Sequence, residues 1–151
     1  MKQYICAIIL LLVVALRSFS QINAQGSTSK VTVSVYNSKS NSGKIILTFY
    51  NSKEDFPTRP EKALRKIAAP VINNSATFVL ESVPYGTYAI SVFHDENNNN
   101  DMDRNFIGIP KEGVGASMDA KGSMGPPKFE DAKFLVKEPY TNLKIKLDYI
   151  F

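Results

Sequence analysis

The chain predicts an all-β protein, an antiparallel β-sandwich of about seven strands, prealbumin- or Ig-like, with a long Gly/Pro-rich loop. Three observations carry this. Short runs alternate apolar and polar residues with the period of half-buried strands, as in "KVTVSVY" and "TNLKIKLDYIF". Turn-forming clusters of Asn, Ser, Gly and Pro separate them. No stretch shows the longer period of an amphipathic helix, which favours a sandwich over an α/β fold, with a small barrel as the other possibility.

The N-terminus stands apart from this pattern. Lys2 precedes an apolar run from Tyr4 to Leu16, and Arg17 and Ser18 end it well short of the roughly 20 residues of a membrane span. Residues 1–24 therefore read as a secretory signal peptide. Two cleavage points fit, after Ser20 with Ser18 at minus three, or after Ala24 with Ile22 there. The single cysteine, Cys6, lies within the apolar run and leaves with it, so the mature domain over residues 25–151 has no disulfide. A secreted or periplasmic location follows, without membrane insertion once the signal is removed. The formal charge of +4 falls to +2 without Lys2 and Arg17, and the remaining lysines are scattered. That argues against a nucleic-acid partner.

The strands follow in order. "KVTVSVY" puts Val31, Val33 and Val35 on one face, and "NSKSNSG" reads as a long hairpin turn into "KIILTFY". "PEKALRK" suits a short helical turn started by Pro60, while "LRKIAAPVI" suits an edge strand carrying Pro70. "SATFVLESV" buries Ala76, Phe78 and Leu80. After "VPYG", the run "TYAISVF" alternates Tyr88, Ile90 and Val92 against Ala89, Ser91 and Phe93, giving two adjacent strands. "AKFLVKE" and the C-terminal run close the fold with Leu143, Ile145 and Leu147 inward.

Between these strands lies "HDENNNNDMDRN", with five asparagines and four acidic residues. Oxygen-bearing side chains recur at every second position: Asp95, Asn97, Asn99, Asp101 and Asp103. Calcium takes six to eight oxygens, and loops that offer them at alternate positions wrap the backbone round the ion. Position six of such a loop needs a sharp turn, and Asn100 is the non-glycine residue best able to make it. The twelfth position is Phe106, so this is not an EF-hand. A further carboxylate must come from Asp103 binding through both oxygens, or from Glu112 or Glu130. The sole histidine, His94, shares the inward face of its strand and is expected to cap the core or bond into the loop, either as an additional metal ligand or as a residue that supports the ligands from behind.

The run "VPYGTYAISVFHDENNNNDMDRNFIGIPKEGVGAS", followed by "GPPKFEDAKFLV", resembles the bacterial family of small secreted proteins catalogued as domain of unknown function 2141. The usual family loop is similar to "HDENGNGKLD", so Asn98 and Asn100 stand where glycines are usual. The pattern also looks like prealbumin-like and collagen-adhesin B-type sandwiches, some of which bind calcium through such a loop. That resemblance implies Asp95, Asn97, Asn99 and Asp103 as ligands, with Asp101 acting through its backbone carbonyl.

The expectation is thus a non-enzymatic, calcium-binding module for adhesion, ligand binding or envelope structure, with a cell-envelope protein or glycan as partner. Its candidate contact surface is the loop holding Arg104, Phe106, Gly108, Lys111, Gly113 and Gly115. Glycines there would let the backbone approach a partner, or simply shape turns, and Phe106 would offer an apolar contact or fill core. Two alternatives belong to other classes: a small transthyretin-like hydrolase using His94, and a carbohydrate-binding module using Tyr36, Tyr50 or Tyr85.

Overall fold

A computed structural model describes residues 27–150, and the expected signal peptide lies outside the described residues. Eight strands form: β1 (Thr28–Tyr36), β2 (Lys44–Tyr50), β3 (Arg65–Pro70), β4 (Ser75–Pro84), β5 (Gly86–Asp95), β6 (Val114–Ala116), β7 (Phe134–Val136) and β8 (Tyr140–Lys146). Two 3-10 turns, Pro60–Lys62 and Ser117–Asp119, and one helical turn, α1 (Phe129–Ala132), complete the elements. One sheet has the order β4-β1-β8. The other runs β3-β2-β5-β6, with β7 pairing the first half of β5.

The predicted β-sandwich is present, with two corrections of detail. Its pairing is not wholly antiparallel, because β1 and β8 run parallel from Lys30↔Tyr140 to Tyr36↔Lys146. The two expected hairpins are also absent. β1 and β2 lie in different sheets, as do β4 and β5. Alternation with period two shows which face of a strand is buried but not which strand it pairs with. The "NSKSNSG" segment instead crosses between sheets. Asn37, at φ 71°, turns the chain, and its amide donates to the Leu147 carbonyl at 2.8 Å. The Asn74 amide donates to the Ser38 carbonyl at 2.6 Å.

The inward positions read from the alternation fill the space between the sheets. Val31, Val33 and Val35 of β1 and Ile145 of β8 meet Ile45, Leu47 and Phe49 of β2 and Ile90 and Val92 of β5. Phe49 stacks on Tyr88 with ring centroids 4.6 Å apart. β2 is buried on both faces from Ile45 to Tyr50. Its outer face is covered by a second cluster of Tyr50, Phe56, Ala89, Ala116, Phe129 and Ala132. The Gly/Pro-rich loop is therefore partly structural: it carries β6, a 3-10 turn and α1 across the back of the larger sheet. Among the described residues, no helix is long and apolar enough to cross a membrane.

Candidate metal loop

β5 ends by delivering His94 and Asp95 into the interior, both fully buried. The next residues leave the sheet and return at Gly113, whose carbonyl accepts the His94 N–H at 2.8 Å. The excursion between them holds the oxygen-rich loop and a narrow projection beyond it.

Asp95 organises the loop. Its Oδ1 accepts the Asn99 N–H and its Oδ2 the Asn100 N–H, both at 3.0 Å, while Lys44 Nζ lies 3.4 Å from Oδ2. The alternate asparagines make Asx turns: Asn97 Oδ1 accepts the Asn99 N–H, and Asn99 Oδ1 the Asp101 N–H. Their amides converge on one carboxylate. Asn97 Nδ2 donates to Asp103 Oδ2 at 2.7 Å and Asn99 Nδ2 to Asp103 Oδ1 at 3.2 Å. Asn98 and Asn100, at φ 60° and 67°, take the left-handed conformation that the glycine comparison required of them.

Glu112 closes the loop from behind. Its two oxygens accept the Glu96 and Asp103 N–H groups, each at 3.1 Å, so one carboxylate ties both ends of the loop to the returning chain. Burial pushes its carboxyl above its ordinary value, against the lowering effect of those two backbone donors, and the Asp103 and Asp95 charges add to the rise.

Four of the five expected ligands, Asp95, Asn97, Asn99 and Asp103, are thus linked in one bonded cluster, while the Asp101 side chain is exposed. Glu112 joins them and Glu130 does not. Glu130 sits on α1, where Lys133 holds its carboxyl below the usual range and Lys53 lies 4.0 Å away. Among the described residues, no group of three or more His, Cys, Asp or Glu side chains is arranged to hold a metal. The set here mixes two carboxylates with two carboxamides, all hard oxygen donors of the kind calcium takes.

His94 is a buried node beside the loop. Nε2 donates to the Ser42 carbonyl at 2.7 Å, and Nδ1 has Tyr149 Oη at 2.9 Å, Ser38 Oγ at 3.1 Å and Glu96 Oε1 at 3.3 Å around it. Ser38 Oγ donates to the Ser40 carbonyl. The expected core-capping role fits this geometry, and the hydrolase alternative meets a histidine with both nitrogens engaged and no exposed surface. Tyr50, one of the tyrosines considered for a glycan platform, is 1% exposed and belongs to the core.

The contact-loop residues divide. Gly113 and Gly115 serve packing: a Cβ on Gly113 would lie 2.4 Å from the Tyr149 ring, and one on Gly115 2.5 Å from the Lys146 carbonyl. They admit this chain's own atoms rather than a partner's backbone. Arg104, Phe106, Gly108 and Lys111 are exposed on the projection, where Arg104 and Pro110 form an antiparallel bridge. Sequence reading missed Asn105, whose Oδ1 accepts the Ile107 and Ile109 N–H groups at 3.1 and 2.9 Å. An Asn two residues before a buried or turn N–H is the signal that would have found it.

The family described as "Uncharacterized protein conserved in bacteria (DUF2141)" matches residues 33–144, which span β1 to β8 and include the whole loop. No curated protein matches the chain, and no solved structure does.

Proposed function

The chain belongs to the DUF2141 family, and from that premise we propose that it is an exported, calcium-binding β-sandwich module, non-enzymatic, in which the ion braces the loop between β5 and β6 for binding at the cell envelope. The observation that carries the reading is the convergence of the Asn97 and Asn99 amides on Asp103, above the buried Asp95. Asp95, Asn97, Asn99 and Asp103 would hold the cation, with Asp101 contributing its main-chain oxygen. The ion would supply positive charge to a loop that holds Asp95, Glu96, Asp101 and Asp103 within nine residues. The four side chains already lie together, but Asn97 and Asn99 present their Nδ2 atoms to Asp103, so their carboxamides would have to turn over to offer oxygen to the ion.

The residues' own part is positional. Asp103 is followed by Arg104 and the projection, and its carbonyl accepts the Lys111 N–H at 2.9 Å. A cation fixing Asp103 would therefore fix both legs of the projection at its base. The test is thermal unfolding of chelator-treated protein as calcium is added. A ligand that binds only the folded state raises the midpoint once its concentration passes the dissociation constant, expected near about 10⁻⁴ to 10⁻³ M for extracellular modules. Magnesium should raise it less, and Asp103→Ala should abolish the rise. A midpoint unmoved by several millimolar calcium would sink the reading.

A further inference from the structure

The loop already holds a positive charge of its own. Lys44 opens β2 directly across the ladder from Asp95, the last residue of β5, and its Nζ lies 3.4 Å from Asp95 Oδ2. That oxygen also accepts the Asn100 N–H, while Oδ1 accepts the Asn99 N–H. A carboxylate offers about four acceptor positions, so the ammonium stands at one that a metal ion would use.

The other carboxylates of the cluster are served differently. Asp103 takes the Asn97 and Asn99 amides, and Glu112 takes the Glu96 and Asp103 N–H groups. These donors carry no net charge. Arg104, next to Asp103 in the chain, sends its guanidinium to the Gly108 carbonyl instead. The carboxylate with no exposed surface is thus the one paired with a cation, as the cost of burying a lone charge requires.

The backbone and the side chain of Lys44 differ in freedom. Gly43, at φ +70°, packs so closely that a Cβ would lie 1.9 Å from the Asp95 carbonyl oxygen, and Lys44 is paired on both sides, with Asp95 and with Pro70 of β3. The start of β2 therefore cannot retreat. The side chain can, because it is 21% exposed and its 3.4 Å approach is longer than the roughly 2.7 to 2.9 Å of a tight charge-assisted hydrogen bond. An ammonium on a flexible stem, loosely held and open to water on one side, is an exchangeable counter-ion.

We propose that Lys44 is the resident counter-cation of the loop, and that a divalent ion binds by displacing its ammonium from Asp95. The proposal rests on the calcium reading above and adds how that site is regulated. With the ion absent, Lys44 neutralises the buried carboxylate and the loop keeps its shape. With the ion bound, the ammonium swings out to solvent. Competition for one oxygen lowers the affinity of the site, so the loop fills and empties with the surrounding calcium concentration instead of holding the ion permanently. A purely structural ion pair would contribute to stability alike with and without calcium.

The test is calorimetric titration of calcium, at low and fixed ionic strength, into metal-stripped wild type, Lys44→Met and Lys44→Arg. Methionine keeps an unbranched stem and removes the charge. Even with the screening of bulk water, removing a unit charge this close to a divalent ion is worth about tenfold in binding. Lys44→Met should therefore bind calcium at least about tenfold more tightly than wild type, and Lys44→Arg, which keeps the charge, about as tightly as wild type. Lys44→Met should melt below wild type without metal, and that deficit should close in saturating calcium. Amine acetylation read by mass spectrometry should show Lys44 becoming more reactive as calcium is added. An affinity unchanged or weakened by Lys44→Met, or a Lys44 amine that calcium leaves unchanged or protects, overturns the proposal while calcium binding by wild type still stands. Calcium bound by Lys44→Met and not by wild type supports it in its strongest form, a site masked by its own lysine. Binding to none of the three proteins at several millimolar calcium would end the calcium reading itself, and this proposal with it.

Discussion

Lys44 and Asp95 face each other at the end of the β2–β5 ladder, with Nζ 3.4 Å from Oδ2, the carboxylate fully buried and the lysine side chain partly open to water. The aspartate is thus the last residue of a core strand and the first of the loop, and it accepts two loop N–H groups as well as the lysine. Asp95→Ala removes three donors' acceptor at once and should cost about 2 to 3 kcal/mol by urea denaturation in chelator. Lys44→Ala leaves the backbone donors in place and should cost about 1 kcal/mol. Equal costs for the two would mean that the ion pair, not the loop capping, supplies the stabilisation.

Asn98 and Asn100 permit a direct test of backbone strain, since both hold a positive φ with side chains exposed. Asn100→Gly should leave stability unchanged or slightly raised, because glycine takes this conformation without steric cost. Asn100→Ala should cost about 1 kcal/mol, from the clash of Cβ with the backbone in the left-handed region. The two variants differ by a single methyl group, so comparing their unfolding midpoints isolates the conformational effect from any lost side-chain contact.

Two glycines with similar φ should respond very differently to the same change. Gly43, at φ +70°, has the Asp95 carbonyl 1.9 Å from where a Cβ would be, and Gly108, at φ +82°, has nothing within 4 Å. Gly43→Ala must push β2 away from β5 beside the loop and should lower the yield of folded protein. Gly108→Ala carries only the conformational cost of about 1 to 2 kcal/mol and should fold. Circular dichroism melts of both proteins decide between them.

The parts of this fold that were legible in the sequence are those governed by a single strand. Val31, Val33, Val35, Ile145 and the face of β5 all point inward as their alternation requires. Pairing was not legible, because the same alternation fits a hairpin or a crossing to the other sheet, and only tertiary contacts such as Asn37 with Leu147 select the crossing. The loop was legible for the same reason as the strands: regular spacing of Asp95, Asn97, Asn99 and Asp103 specifies which side chains share a side of the backbone. Glu130 and Glu112 looked equivalent by composition. Only the return of the chain to β5 through Gly113 brings Glu112 alone to the loop.

Glu112 also yields a pH prediction whose sign can be worked out. Burial raises its folded-state carboxyl above the ordinary value of 4.5, so the folded protein holds that proton more readily than the unfolded chain does. Its titration therefore contributes stability that is fully present below about pH 4.5 and is lost as pH rises through the raised folded value. Glu112→Gln cannot titrate, and its single amide oxygen can serve only one of the Glu96 and Asp103 N–H groups well, so it should be less stable than wild type throughout. The stability gap between the two should be widest in acid and should narrow toward neutral pH when both are unfolded with urea in chelator. Added calcium should oppose the narrowing, since a cation beside Asp103 favours the charged carboxylate. A gap that widens toward neutral pH without calcium would mean that the two backbone donors outweigh burial and hold the carboxyl below its ordinary value.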